Sequence, residues 1–183
     1  ARGLLQSVEY PNQQCLSFAY GEEGLERIVT PLGNVLQVEC RGGRILQITD
    51  EIGRRTQYRY EGDLLVDVVH TDEGITHYEY DENGHISSVT DQNGSCYLEN
   101  EYDVKGRITR QNFSSGVYQI FTYDDIHHRN TIYYSETGKT EIYEYNNRFL
   151  KERVIYEDDS FQTYQYSDDN LKVEEISRLG SRK

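Results

Sequence analysis

A tyrosine-rich strand pattern returns about every 21 residues along this chain, a period typical of repeat architectures, and it constrains the fold more than any single residue. The second aromatic of each copy falls at a regular set of positions: Tyr60, Tyr80, Tyr102, Tyr123, Tyr145 and Tyr166. The same spacing places Cys40 and Tyr20 in two earlier copies. A period held this closely predicts an array of one supersecondary unit, without one privileged cleft.

Each period has the pattern of one β-hairpin. Tyr78-Glu79-Tyr80 alternates, which puts both rings on one face of a strand. The Asn-Gly pairs that follow supply the left-handed conformations of tight hairpin turns. We predict turns at four sites: Asp50 to Gly53, Asp81 to Gly84, Asp91 to Gly94 and Asp103 to Gly106. No apolar pattern with helical spacing persists anywhere, so long helices are not expected.

One detail of the hairpins departs from simple alternation. Apolar residues in the strand after the turn stand three apart, as in the pairs Ile45 and Ile48, Leu65 and Val68, and Ile86 and Val89. Three is not an even step, so a β-bulge or a strong local twist is predicted in each of these strands. Such bends would curl the sheet.

The predicted fold class is therefore all-β: a repeat array of about eight β-hairpins that form one long, curled antiparallel sheet. We expect an N-terminal edge or cap segment at 1–17, the strip itself at 18–175, and a frayed C-terminal tail at 176–183. The chain contains no Met and begins in mid-pattern, which we interpret as a sign of a segment from a longer protein.

Composition favours a packed aromatic ladder and excludes two classes of partner. The chain has 17 Tyr, 5 Phe and no Trp, and Tyr can stack in a core while its hydroxyl reaches a polar group. We expect Tyr80 and Tyr123 to pack on their equivalents in adjacent repeats. The net charge of -13 repels phosphate backbones, so nucleic-acid binding is not expected. No apolar run approaches the roughly 20 residues of a membrane span, so membrane insertion is not expected either.

The sequence offers no catalytic constellation. Signatures of serine hydrolases, zinc proteases and phosphate-binding loops are absent. The many turn aspartates are of the kind that cap their own backbone. The three cysteines, Cys15, Cys40 and Cys96, have irregular spacing and cannot complete a disulfide framework. We therefore predict a protein that is not an enzyme, with no catalytic, cofactor-binding or metal residues and no cofactor.

One histidine pair is a conditional candidate for a metal site. If Glu73-Gly74 forms a two-residue turn, His70 and His77 lie opposite each other, with about 5.5 Å between their β-carbons. Structural zinc requires four ligands, and no Cys or acid is predictably close to this pair. The pair alone does not predict a site.

The combination of Tyr80-Asp81-Glu82-Asn83-Gly84 with Ile86, Val89-Thr90-Asp91 and Gly94 resembles the YD repeat of Rhs-type proteins. The same frame recurs from Tyr102 to Ile108, and the resemblance covers roughly residues 18–175. It implies a β-sheet strip that spirals into a hollow shell. In Rhs and insect toxin-complex proteins the shell encloses a polymorphic C-terminal toxin, and in the related teneurins it is part of an adhesive ectodomain. The sequence that ends such shells and directs self-cleavage, and any toxin domain, are missing from this chain.

Two functions follow from the resemblance. The first is a non-enzymatic segment of a YD-repeat shell that encloses or presents a polypeptide cargo, such as a C-terminal toxin, and contacts neighbouring YD repeats. The alternative is a cell-surface adhesion module whose exposed tyrosines contact carbohydrate or a surface protein. A row of exposed tyrosines along a groove would favour the alternative, and packed rings behind a polar face would favour the shell. In either case the resemblance implies an extracellular or cell-surface location.

The ends of the strip are expected to differ. Near the C-terminus Asp168, Asp169, Glu174 and Glu175 repel strand addition, whereas the N-terminal edge carries Leu4, Leu5, Val8 and Tyr10. Because unprotected edge strands template further pairing, we expect a homodimer through the N-terminal edge.

Overall fold

The computed structural model describes residues 3–178, which contain 17 β-strands and no helix. The chain divides into two compact units, Ala1–Ser95 and Cys96–Lys183. Of the predicted N-terminal segment and C-terminal tail, residues 1–2 and 179–183 lie outside the described part. No described residue belongs to a helix of the length and apolarity that crossing a bilayer requires.

The first unit is an antiparallel meander in which each strand pairs with the next. Its strands are β1 (Ser7–Glu9), β2 (Cys15–Tyr20), β3 (Leu25–Val29), β4 (Val35–Arg41), β5 (Arg44–Thr49), β6 (Arg55–Glu61), β7 (Leu64–Val69), β8 (Ile75–Tyr80) and β9 (Ile86–Thr90).

The second unit continues the same plan. Its strands are β10 (Cys96–Tyr102), β11 (Ile108–Phe113), β12 (Tyr118–Asp124), β13 (Arg129–Tyr134), β14 (Lys139–Tyr145), β15 (Lys151–Tyr156), β16 (Phe161–Tyr166) and β17 (Lys172–Ile176). The all-β hairpin array predicted from the tyrosine period is confirmed.

The four predicted turns are confirmed by their closing hydrogen bonds. In each turn the glycine N–H donates to the carbonyl of the aspartate three positions earlier. The distances are 3.0 Å for Gly53 to Asp50, 3.0 Å for Gly84 to Asp81, 2.9 Å for Gly94 to Asp91 and 2.9 Å for Gly106 to Asp103. These glycines have φ between 75° and 85°, a region that side chains with a Cβ rarely adopt.

The predicted bulges are present as well. Tyr80 pairs with Ile86 while Glu79 pairs with Ser88, which leaves Ser87 as the extra residue. The same shift occurs beside the marker residue of six other repeats: Tyr20, Cys40, Tyr60, Tyr102, Tyr145 and Tyr166. The odd spacing of the apolar positions is thus explained, because the bulge returns both members to one face.

One hairpin has no bulge. Strands β12 and β13 pair without a shift over six positions, from Gln119 opposite Tyr134 to Asp124 opposite Arg129. Its turn contains Asp125-Ile126-His127-His128 and no glycine. We call β12–β13 the irregular hairpin, since the repeat frame changes there.

Within each unit the strand register defines two faces. The tyrosine face carries the marker residues of the repeats, and its most buried side chains are Val38, Val68, Val89 and Val154 at 8%, 9%, 3% and 3% exposure. The opposite face of the first unit carries mainly charged and amide side chains, as the alternating exposure of β6 and β8 shows.

Candidate functional site

The tyrosine face of the first unit is a continuous apolar layer. Cross-strand neighbours on this face include Val38 with Ile48, Tyr58 with Val68, and Tyr78 with Val89. Pairs of aromatic and β-branched residues directly opposite each other stabilise an antiparallel sheet. A single sheet can bury its valines in this way because the rings on either side cover them.

A hydrogen bond from the tyrosine hydroxyl ties a hairpin to the one before it. In five repeats the marker tyrosine donates to a backbone carbonyl earlier in the chain, which belongs to the preceding hairpin in four of them and to the segment before β1 for Tyr20. The pairs are Tyr20 with Leu5 at 3.0 Å, Tyr60 with Ile45 at 2.9 Å, Tyr80 with Leu65 at 2.6 Å, Tyr123 with Ile108 at 2.7 Å and Tyr166 with Lys151 at 2.9 Å. Cys40 occupies the same slot, and its thiol contacts the Leu25 carbonyl at 3.1 Å. We call this contact the tyrosine latch.

The bulge explains why the latch exists. Leu65, whose carbonyl accepts from Tyr80, is the residue paired with Tyr60 at the bulge of the preceding hairpin. A bulge interrupts the ladder locally, and a half-buried carbonyl without a partner is costly. The hydroxyl of the next repeat supplies the missing donor. Burial also raises the pKa of the Tyr80 phenol, which keeps the donor protonated.

The opposite face of the first unit is held by polar contacts. Asp67 accepts from His77 at 2.7 Å and lies 3.6 Å from Arg59, and the Ser88 hydroxyl donates to Glu79 at 2.6 Å. Arg59 and His77 are exposed while Asp67 is half-buried, and pairs of this kind with exposed partners contribute little stability. Their effect is to keep this face wet and charged.

The turn aspartates cap their own backbone, as predicted. Oδ1 of Asp81 accepts from the backbone N–H groups of Asn83 at 2.9 Å and His85 at 2.8 Å. The hydrogen bond from the His85 backbone is the largest influence that lowers the pKa of Asp81. Asp91 and Asp103 make the same contacts, and their pKa values are lowered mainly by the corresponding backbone N–H groups of Ser95 and Arg107. These carboxylates serve turn geometry.

The histidine pair of the conditional metal site does not form. A longer turn, closed by the His70 N–H bonding to the Gly74 carbonyl at 2.8 Å, replaces the two-residue turn at Glu73-Gly74. His77 therefore pairs with Asp67, and the His70 ring contacts the Thr76 hydroxyl at 2.8 Å. The assumed turn length was wrong because Glu73 adopts a left-handed φ of 67° and adds residues to the turn. Among residues 3–178 no group of three or more metal-ligating side chains is assembled.

The second unit places a polar cluster on its tyrosine face. The Tyr143 hydroxyl donates to Oε2 of Glu141 at 2.6 Å, and the Tyr134 hydroxyl lies 3.4 Å from the same oxygen. Burial, reinforced by these hydrogen bonds, raises the pKa of Tyr143 far above its ordinary value. Lys151 lies over the rings of Tyr143 and Tyr164, at 5.8 and 4.4 Å from their centroids.

A groove of about 540 Å³ opens in the second unit beside the irregular hairpin. Its walls include the rings of Tyr123, Tyr145, His128 and Phe149. The Arg107 guanidinium stacks on the Tyr123 ring at 4.1 Å from the centroid. The groove lies where the latch is missing: β12 and β13 have no bulge, and within the described chain the Tyr145 hydroxyl makes no latch to the preceding hairpin. Sequence reasoning missed this groove.

Exposed tyrosines do not form a row. Of the 17 tyrosines, all within the described residues, only Tyr10 and Tyr97 are exposed, at 44% and 40%, one in each unit. The remaining rings are half-buried on strands. The first unit has packed rings behind a polar face, which is the arrangement expected of a shell, and among its described residues it has no row of exposed tyrosines.

Comparisons with known proteins give the family and the fold. The family model of the teneurin YD-shell matches residues 1–101. Comparison with curated protein sequences gives no significant match.

Solved structures of TcdB2-TccC3 have a similar fold. The form without the hypervariable C-terminal region matches with a TM-score of 0.57 and 13% identity, over 87% of this chain and 10% of that chain. Another TcdB2-TccC3 structure matches with a TM-score of 0.55 and 15% identity, over 92% of this chain and 11% of that chain. At these identities the likeness concerns the fold alone, and this chain spans about a tenth of the length of those chains.

Proposed function

Because the chain belongs to the teneurin YD-shell family, we propose that it is a non-enzymatic wall segment of a YD-repeat shell that encloses or presents a polypeptide cargo, such as a C-terminal toxin. Its other partners are the neighbouring YD repeats of the parent protein. The two-sided character of the first unit supports this role most directly. A layer of packed rings and valines lies behind a charged, wet face, so the sheet separates two environments.

Protease protection of the cargo tests this proposal. In the parent protein the polypeptide that the shell surrounds should resist digestion. The double variant Val68→Asp with Val89→Asp puts carboxylates into the apolar layer, where unpaired charge is costly, and should expose the cargo to protease. Gln57→Asp changes an exposed residue of the opposite face and serves as the matched control. Equal digestion in the parent, the double variant and the control would contradict the wall role.

The adhesion alternative has less support. Stacking on sugars requires aromatic rings that solvent can reach, and only Tyr10 and Tyr97 among the described tyrosines are exposed. The shell role also implies a secreted protein, so we propose an extracellular location. Hydrolase and nuclease assays should stay at background, because the sequence has no hydrolase or phosphate-binding motif and no metal cluster forms among residues 3–178.

We further propose that the free chain forms a two-fold dimer through its N-terminal edge. β1 has three residues, and Leu4 and Leu5 beside it are 52% and 54% exposed. An edge with exposed apolar residues and no charged side chain next to them in the described chain invites pairing with another copy. Analytical ultracentrifugation at micromolar concentration should give a dimer, and Leu5→Lys should shift it to monomer. A monomer at every concentration would mean that this edge is closed.

A further inference from the structure

The groove beside the irregular hairpin has the properties of a docking site. Its volume of about 540 Å³ lies within the roughly 300–1,000 Å³ typical of ligand sites. Tyr123, Tyr145, His128 and Phe149 give it aromatic walls. In five other repeats the latch ties the tyrosine face to the chain before it. Here the latch is missing, and the space stays open.

The charged groups around the groove are already paired. Arg107 contacts Asp103 at 2.8 Å and Asp125 at 2.6 Å, and Arg129 contacts Glu144 at 2.5 Å. Asp124 is paired with His127 at 2.6 Å. Most of the charge on these walls is therefore matched, which favours an uncharged group, and the buried Nε–H of Arg129 is a donor without a hydrogen-bond partner among the described residues.

A hydroxyl and an amide of the lining are unused. The Tyr145 hydroxyl and the Asn130 side-chain amide make no hydrogen bond with any described residue, and both lie on the tyrosine face. Together they offer donors and acceptors to one partner group. A peptide unit has one donor and one acceptor, so it matches this pair.

Phe149 stands where the repeat frame has glycine. The turn that begins at Asn146 closes by the Phe149 N–H donating to the Asn146 carbonyl at 2.9 Å, as Gly84 does to Asp81. Phe149 has a φ of 58°, a conformation that residues with a Cβ rarely adopt, and its side chain is 79% exposed. Its ring packs against His128 at 5.9 Å between centroids, and His128 is itself left-handed with a φ of 49°. Backbone strain and an exposed ring meet at the rim of the groove, as is common at functional sites.

We propose that this groove docks one large apolar side chain of an extended polypeptide, with Phe149 covering the side chain and with Tyr145 and Asn130 bonding the adjacent peptide group. The inference rests on the wall function proposed above and names the chemistry of the cargo contact. A sugar fits the groove less well, because each pyranose carries several hydroxyls and much of the wall is aromatic.

The test uses a peptide probe with tryptophan fluorescence, which the protein itself does not have. Because the chain contains no Trp, a blocked peptide with a central Trp between Gly and Ser reports its own binding by fluorescence. We expect weak saturable binding, with no displacement by the same peptide carrying Ala. Phe149→Gly should weaken binding by about tenfold, the factor expected when part of a large apolar contact is lost.

Asn170→Gly is the matched control. Asn170 also has a left-handed φ, of 63°, in a turn far along the sequence from the groove residues. Both glycine variants should melt at the parent temperature or above it, because glycine adopts this conformation without strain. Only Phe149→Gly should lose affinity.

Three results would overturn the docking proposal. They are equal affinity of Phe149→Gly and the parent, displacement of the Trp peptide by the Ala peptide, and displacement by chitotriose, which would assign the groove to sugar. None of these three results bears on the protease protection of the cargo, so each would contradict the docking proposal without contradicting the wall role. Loss of protease protection with an intact peptide site would remove the wall role alone.

Discussion

The tyrosine face of the first unit and that of the second carry different chemistry on the same backbone frame. In the first unit the central cross-strand pairs are apolar, such as Tyr78 with Val89. At equivalent positions the second unit has Asn100 with Gln111, whose amides bond at 2.9 Å, and Tyr164 with Glu175. Its Tyr143 with Val154 keeps the apolar pairing. The first unit packs an apolar layer, and the second mixes apolar with hydrogen-bonded pairs on its tyrosine face.

This difference shows that the repeat frame does not depend on an apolar row. Turns, bulges and ladder bonds satisfy the backbone in both units, and only the side chains of the face change. A polar pair is tolerated where both members find partners, because the cost of burial falls on groups left unsatisfied. One backbone frame can therefore carry different side chains on its face, as the two units do.

The largest test of the comparison removes a ring from each unit. Tyr80→Ala and Tyr123→Ala should each lower the free energy of unfolding by roughly 2–5 kcal/mol, because each loses ring packing and the latch. Thermal or urea melts measure the loss, and Glu79→Ala on the exposed side of β8 is the control. Melts that coincide with the parent would show that the rings do not hold the sheet together.

The next test places an amide side chain, of the kind found on the tyrosine face of the second unit, into the apolar layer of the first. Val89→Gln puts an amide without a designed partner into the apolar layer and should cost about 1–3 kcal/mol in urea unfolding. Thr90→Gln, one position along on the other face, should change stability by less than about 0.5 kcal/mol. Equal losses in the two variants would mean that the faces of the first unit do not differ as described.

The latch itself is tested by removing single hydroxyls. Tyr80→Phe keeps the ring and should cost about 1 kcal/mol, since the Leu65 carbonyl loses its donor. Tyr145→Phe, in a repeat without a latch, should leave stability unchanged within about 0.3 kcal/mol. The two variants differ only in the hydroxyl contact, and similar unfolding curves would show that the latch adds nothing.

The smallest expected effect is on the stability of the fold at acid pH. Turn aspartates such as Asp91 have a folded pKa below the ordinary value of 3.8, so the stability they contribute is present above about pH 4 and is lost as pH falls through the folded pKa. Asn146 makes the same two turn contacts without a charge, at 2.9 and 3.0 Å. Asp91→Asn should therefore leave melting at pH 7 unchanged and reduce the loss between pH 4 and 2. An unchanged acid profile would mean that other carboxylates govern it.

The strands, turns and bulges of this fold could be predicted from the sequence because they are determined by residues close together in the chain. Asn-Gly pairs specify turns by their own backbone preferences, and the spacing of Ile86 and Val89 revealed the bulge. The latch was not accessible, since its acceptor lies in the preceding hairpin and is available only because a bulge frees it. The histidine pair failed for a related reason: one left-handed residue, Glu73, changed the turn length.

Two features of the sequence mark the groove, and an alignment of the repeats could have revealed both. Asn146 to Phe149 occupies the frame of Asp81 to Gly84, so a phenylalanine stands in a glycine slot. The missing bulge of the irregular hairpin left a second signal, a turn without glycine at residues 125–128. Neither signal reveals the unused Tyr145 hydroxyl, which depends on how three strands meet.

The tyrosine latch always reaches backwards along the chain, to a carbonyl of a hairpin nearer the N-terminus. On a ribosome, a hairpin can therefore lock as soon as its own tyrosine emerges, without waiting for any residue still to be made. Translation is slower than hairpin formation by orders of magnitude, at about 5–20 residues per second against microseconds. The sheet can thus fold one hairpin at a time during synthesis. Each newly formed edge strand stays unpaired for only about one to four seconds before the next repeat pairs with it.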